Sequence, residues 1–200
     1  MQDPRPLSDE PLPIDLVNTE LWAEGERVDL IADTRGLQTW LAAIGRPECP
    51  VTPAALARLH DARSAIRAVL EDDGDAAARR RLNAVLDRGR RREALGEDGP
   101  TSVVEVRLEE DRLPWEAAGA LLRLLRTDRD RLRPCGGHGC VLWFHDASRS
   151  GRRQWCSMAT CGNRAKARRH HARGRDRTET EDLAAGPEDP PTGSGRAGSG

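Results

Sequence analysis

Four cysteines in the second half of the chain stand in the pattern Cys135-x4-Cys140-x15-Cys156-x4-Cys161. Two short-spaced pairs separated by a 15-residue excursion have the form of a four-thiolate zinc site, because each pair makes a knuckle and the excursion folds one knuckle onto the other. In "CGGHGC" three glycines stand where a backbone must wrap tightly around a metal. His138 lies inside this knuckle, but four thiolates already complete a tetrahedral site. Such a site leaves no coordination position for water or substrate, so the chain is read as a metal-folded binding module containing Zn2+ and not as an enzyme.

The excursion has the composition of a hairpin, with "VLWFH" (141–145) as a strand, "DASRSG" as a turn and "RRQW" returning to Cys156. Positions five apart on a regular helix differ by about 140°, so Cys156 and Cys161 cannot both face inward from one helix. At least one must sit on a turn or a helix end. A helix starting there would carry Asn163, Arg164, Lys166, Arg168 and Arg169 away from the metal, which is the layout of a treble-clef-like or ribbon-like finger.

Charge is segregated in the same way. The formal net charge is -1, yet residues 129–175 hold twelve basic and two acidic side chains, residues 1–128 have a balance of -7, and residues 176–200 a balance of -4. A basic block around a metal knuckle is the electrostatic footprint of a polyanion partner, and a nucleic acid is the expected one. The candidate contacts are Arg149, Arg152, Arg153, Asn163, Arg164, Lys166, Arg168, Arg169 and Arg173. Arginine and lysine neutralise phosphates with release of counterions, and Asn or Arg can also read base edges. Gly162 and Asn163 have a structural use as well, in the turn after Cys161 and as a helix cap.

The remaining sequence must position this unit. Aromatic residues are few and Ala, Leu and Arg abundant, so the fold is expected to be mainly α with minor β. "PIDLVNTELWA" spaces Ile14, Leu16, Val17, Leu21 and Trp22 along one helical face. Asp33 or Thr34 caps a helix bearing Leu37, Trp40, Leu41 and Ile44 and stopped by Gly45. Thr52 with Pro53 opens a long helix, and Asp75 caps the next, making a helical hairpin. "SVVEVRLEEDRLP" alternates like a strand or hairpin, and Pro114 opens a further helix. Asp15, Asn18 and Thr19 are suited to capping and packing the first helix, or to lining a small-molecule pocket. The expected organisation is a disordered segment 1–11, a helical domain 12–128, the finger 129–174, and a disordered acidic, Gly-rich tail 175–200.

No apolar run of about 18 residues is present, and the N-terminus lacks the basic and apolar segments of a secretion signal. The cytoplasm is the expected compartment, with no membrane partner, and clustered cysteines there point to metal rather than disulfides.

The stretch from Arg133 to Arg173 resembles the CGNR zinc-finger family, through Cys161-Gly162-Asn163-Arg164, the Trp155-Cys156-Ser157-Met158 run before it and the basic cluster after it. "LPIDLVNT" (12–19) and "GLQTWLAAIG" (36–45) are similar to the ABATE domain that precedes this finger. The resemblance implies a bacterial transcription regulator whose finger binds DNA, with the N-terminal domain as a sensing or dimerisation module. A homodimer and a small-molecule effector are compatible with that layout. The alternatives are an RNA- or protein-binding finger and a zinc-thiolate redox sensor, the latter because low-pKa thiols near arginines also serve redox chemistry.

Overall fold

A computed structural model describes residues 3–23 and 25–168. The chain is mainly helical, with three two-stranded antiparallel sheets among the described residues. The helices are α1 (Leu12–Val17), α2 (Thr34–Ala43), α3 (Pro53–Glu71), α4 (Ala76–Leu86) and α5 (Arg112–Thr127); the strands are β1 (Glu20–Ala23), β2 (Glu26–Asp29), β3 (Gly89–Gly96), β4 (Gly99–Val106), β5 (Leu132–Pro134) and β6 (Trp143–His145). Residues 163–168 form a further helical segment, α6.

Local chemistry sets most of these boundaries. Asp33 caps α2 by accepting from the Gly36 N–H at 2.7 Å, Thr52 caps α3 through Ala55 with Pro53 at the first position, and Asp75 accepts from Ala77 and Ala78 at the start of α4. Each side-chain oxygen satisfies an N–H that the helix cannot pair internally. Helix α5 begins at Arg112, two residues before Pro114. The proline fits within the first turn because its missing N–H would have had no partner there.

Helix α1 is shorter than its spacing predicts. It stops at Val17, and Leu21 and Trp22 lie in β1, which pairs with β2 in the register Glu20↔Asp29. The cause is polar. Thr19 donates from Oγ1 to the Leu16 carbonyl at 2.7 Å and accepts from Arg63, while the Leu30 N–H donates to the Thr19 carbonyl at 2.8 Å, so the chain is turned out of the helix. Arg63 is itself buried, held by two 2.7 Å bonds to the Asp29 carboxylate, which it keeps below the usual carboxylate range against the opposing effect of burial.

The core of the helical domain gathers Ile14, Leu37, Trp40, Leu59, Ile66 and Leu121 among others. Its last large member, Trp143, comes from the finger. The next residue, Phe144, points the opposite way, as strand alternation requires, and is fully buried among Cys135, Leu142, Cys156 and Cys161. Strand β6 is therefore shared between two cores. Its backbone is held by Asn18: the carboxamide donates to the Trp143 carbonyl and accepts from the Trp143 N–H, both at 2.9 Å. Arg67 adds bonds to the carbonyls of Val17 at 2.6 Å and Val141 at 3.3 Å.

Residues 3–10, expected to be disordered, are packed instead. Arg5 bridges Asp3 and the buried Asp15, Leu7 lies against the cysteine core, and the Glu10 carboxylate accepts from the His145 N–H at 2.8 Å. Burial raises the Glu10 carboxyl above its ordinary range. The tail 175–200 lies outside the described residues.

Replacing Asn18 by Ala strips partners from two buried backbone groups of Trp143. About 2–5 kcal/mol of unfolding free energy should be lost, measured by urea titration, because each orphaned buried group costs roughly 1–3 kcal/mol. An unchanged midpoint would show that Asn18 does not hold the finger.

Candidate metal centre and basic face

Strands β5 and β6 pair antiparallel, Leu132↔His145 to Pro134↔Trp143, and the first knuckle is the loop between them. The expected partner of the 141–145 strand was the return segment Arg152–Trp155. That segment keeps one ladder-like bond, from the Gly136 N–H to the Gln154 carbonyl at 2.9 Å. Trp143 is committed to Asn18 on its other edge, so only one side of β6 is free to pair, and the adjoining β5 takes it.

The knuckle turns at Gly139, whose φ of +70° suits glycine, and the Cys140 N–H closes the turn on the Gly137 carbonyl at 3.0 Å. Gly137 is required for a different reason. A Cβ there would lie 2.8 Å from Cys161 Sγ and 3.3 Å from Cys135 Sγ. The second pair is arranged as its spacing demands: Cys156 precedes a wide turn over Met158–Gly162, Cys161 sits on that turn, and α6 follows.

The four ligand sulfurs, Cys135, Cys140, Cys156 and Cys161, all lie within 4.8 Å of one another. Two of the separations are 3.9 Å (Cys140–Cys156) and 3.7 Å (Cys156–Cys161). Tetrahedral zinc with Zn–S bonds of about 2.3 Å places its sulfurs about 3.8 Å apart, so the donor set fits. Cys135 Sγ also accepts from the N–H groups of Gly137 at 3.4 Å and Cys156 at 3.2 Å, as a thiolate ligand would. In the metal-free cluster Cys140 ionises first, pushed down to about 5 by a hydrogen bond from the Cys156 thiol. That contact pushes Cys156 up, and burial pushes Cys161 up to about 11. Four crowded sulfurs cannot all carry charge unless a cation is among them.

The proposed nucleic-acid contacts separate into two groups. Arg149, Arg152, Asn163, Arg164, Lys166 and Arg168 are exposed. Arg153 is turned inward: its guanidinium lies over the Phe144 ring, 4.4 Å from the centroid, and donates to the carbonyls of Trp155 and Cys156. It braces the second knuckle and has little fork left for a phosphate. Asn163 does not cap the helix as expected: it already has helical φ and ψ, and its Nδ2 donates back to the Ala159 carbonyl at 3.2 Å, tying the helix start to the turn. Arg169 and Arg173 lie outside the described residues. The polar run at Asp15, Asn18 and Thr19 is consumed by packing, with Asp15 accepting from the Trp40 indole at 2.8 Å.

Comparison with known families gives two matches. The family described as "putative stress-induced transcription regulator", ABATE, matches residues 10–128, and the CGNR zinc finger matches residues 131–174. The chain belongs to the ABATE family. Its ABATE domain is the helical body, and its CGNR finger contains all four clustered cysteines. No match was found among curated proteins. Among the described residues no helix is long and apolar enough to cross a membrane.

Asn18, Glu10 and Arg67, which fix the CGNR finger to the ABATE domain, were not apparent as finger-binding residues in the sequence. The signal available for Asn18 was its place in "LPIDLVNT", a polar interruption of an apolar helix face.

Two outcomes test the centre. Zinc binding at pH 7 should release at least two protons, those of Cys156 and Cys161, so affinity should rise by about 100-fold per pH unit or more near neutrality; calorimetry in buffers of different ionisation enthalpy counts them. Release of fewer than two would contradict the arrangement. Gly137→Ala, which drives a Cβ into Cys161, should weaken zinc retention against a chelator, whereas Gly139→Asn, compatible with positive φ, should leave retention close to wild type.

Proposed function

We propose that this protein is a transcription regulator that binds duplex DNA through its CGNR finger, with one structural Zn2+ held by Cys135, Cys140, Cys156 and Cys161. The ion ties the two knuckles together and supplies no chemistry beyond that, and no enzymatic activity is assigned. The ABATE domain serves as the sensing or dimerisation module, and the reducing cytoplasm is the compartment in which the thiols stay available to metal.

The observation supporting this reading is how the cations are partnered. Over residues 1–128, ten of the eighteen arginines stand in ion pairs among the described residues, including Arg63 with Asp29, Arg88 with Asp61, and Arg90 and Arg92 with Glu105. Among the same residues no acidic side chain pairs with Arg149, Arg152, Arg164, Lys166 or Arg168. Exposed cations left unpaired beside the cysteine-held turn attract phosphates and raise the rate of encounter.

The finger is also held firmly by the domain behind it. Trp143 packs in the helical core, and Arg129 pairs with Asp73 at the junction. A signal or a dimer contact in the ABATE domain would therefore reach the DNA-binding face through packed side chains.

A zinc-thiolate redox sensor is the second reading, favoured by Cys140, the one member of the cluster that is not fully buried. Reversible zinc release at low peroxide would support it.

The full chain loaded with zinc should bind duplex DNA with an affinity that falls steeply with salt, and Arg164→Ala combined with Arg168→Ala should reduce the log–log slope by about 2. Absent or salt-insensitive binding would overturn the DNA assignment. Preference for duplex RNA of equal length would move the reading to an RNA-binding finger.

A further inference from the structure

A groove of about 550 Å³ runs between the first knuckle and α6. Pro134, Gly137 and Trp155 contribute to its lining, with Arg133 from β5 and Arg164 and Arg168 from α6. Arg164 and Arg168 are four apart and share one helical face; Lys166, two residues from each, is not part of the lining. Among the described residues the lining contains no carboxylate, and Cys161 is one of its members. Arg133 uses its Nε to donate to the Asp130 carbonyl at 3.1 Å, and among the described residues its guanidinium has no ion pair with an acid.

We infer that this groove is the seat of one sugar–phosphate unit of the DNA backbone, with the phosphate among Arg133, Arg164 and Arg168 and the sugar against the proline, glycine and tryptophan surface. This rests on the DNA-binding reading and deepens it by assigning Arg133, a residue outside the basic helix, to the interface. Three features favour a backbone over a free ion. The volume is several times that of a phosphate, the lining offers apolar surface for a sugar as well as cations, and two further exposed cations, Arg152 and Lys166, stand next in sequence to lining residues, available to neighbouring phosphates. The two walls also belong to different knuckles. Arg133 and Gly137 come from the strand and loop of Cys135 and Cys140, whereas Arg164 and Arg168 follow Cys161, so the cysteine cluster sets the width between them.

The test uses the zinc-loaded full chain and a fluorescently labelled duplex titrated at several salt concentrations. Arg133→Ala should weaken binding several-fold and make the log–log salt slope shallower by about 0.9, the value for one lost phosphate contact. Arg133→Lys should restore most of the slope, and Arg79→Ala, an exposed arginine on α4, should leave it unchanged. Zinc content and urea midpoint, measured on each variant, separate a lost contact from a damaged finger. If the wild type binds DNA and Arg133→Ala retains its slope, the groove assignment fails while the DNA reading stands. If the wild type does not bind DNA, both fail. Saturable binding of AMP that Arg133→Ala abolishes, with duplex affinity untouched, would give the groove to a free nucleotide and overturn the proposal.

Discussion

The carboxamide of Asn18 takes both backbone groups of Trp143, and this pairing determines how the two halves of the protein fit together. One side chain acts as a short strand edge, satisfying a donor and an acceptor that would otherwise be buried and unpaired. With Trp143 anchored, β6 has a fixed face toward each core. Its alternation then delivers Trp143 to the helical domain and Phe144 to the cysteine cluster. The first knuckle closes between β5 and β6, Arg153 lies on Phe144, and the second knuckle is braced against that stack. The metal centre is thereby built on a strand whose position is set by the helical domain.

Charge is distributed in keeping with this construction. Inside the helical body, cations are either buried with a carboxylate, as Arg63 is with Asp29, or bonded to backbone carbonyls, as Arg67 is. Around the finger, Arg131 and Arg153 do structural work, Arg131 bonding to the carbonyls of Asp146 and Ser148 on the excursion loop and Arg153 to those of Trp155 and Cys156. Arg149, Arg152, Arg164, Lys166 and Arg168 are exposed and, among the described residues, have no acidic partner. The basic composition of residues 129–175 thus covers two populations with different physical roles, one folding the loop and one carrying the surface field.

Much of the arrangement was legible in the sequence where the physics is local. The cysteine spacing picked out the four residues that the fold gathers into one cluster, because knuckles need short loops and two of them suffice for a closed site. The caps at Thr52 and Asp75 marked helix starts, since side-chain capping depends on residues within three positions. Periodicity overran at Leu21 and Trp22, where an apolar spacing compatible with a helix was overridden by the Thr19 hydroxyl and by pairing with β2. The partner of β6 was misassigned because Asn18, 125 residues away, decides which edge is free. Arg153 resembled its neighbours in composition, and only the aromatic ring beneath it distinguishes it. The polar residues of "LPIDLVNT" were recognisable as packing residues, but their partners in the finger were not, as nothing local specifies a contact across most of the chain.

That separation has a consequence for synthesis. Helix α1 leaves the ribosome well before the backbone that Asn18 pairs with, which emerges 125 residues later. At a translation rate of 5–20 residues per second this is a delay of about 6–25 s. Throughout it, the face of the helical core that receives Trp143 is open. The nascent domain can assemble its helices but cannot close its core until the finger strand arrives, and α6 follows that strand by some twenty residues. Completion of the helical body and capture of the metal are consequently adjacent events in synthesis, which makes the finger strand the closing piece of the helical core rather than a unit added to a finished domain.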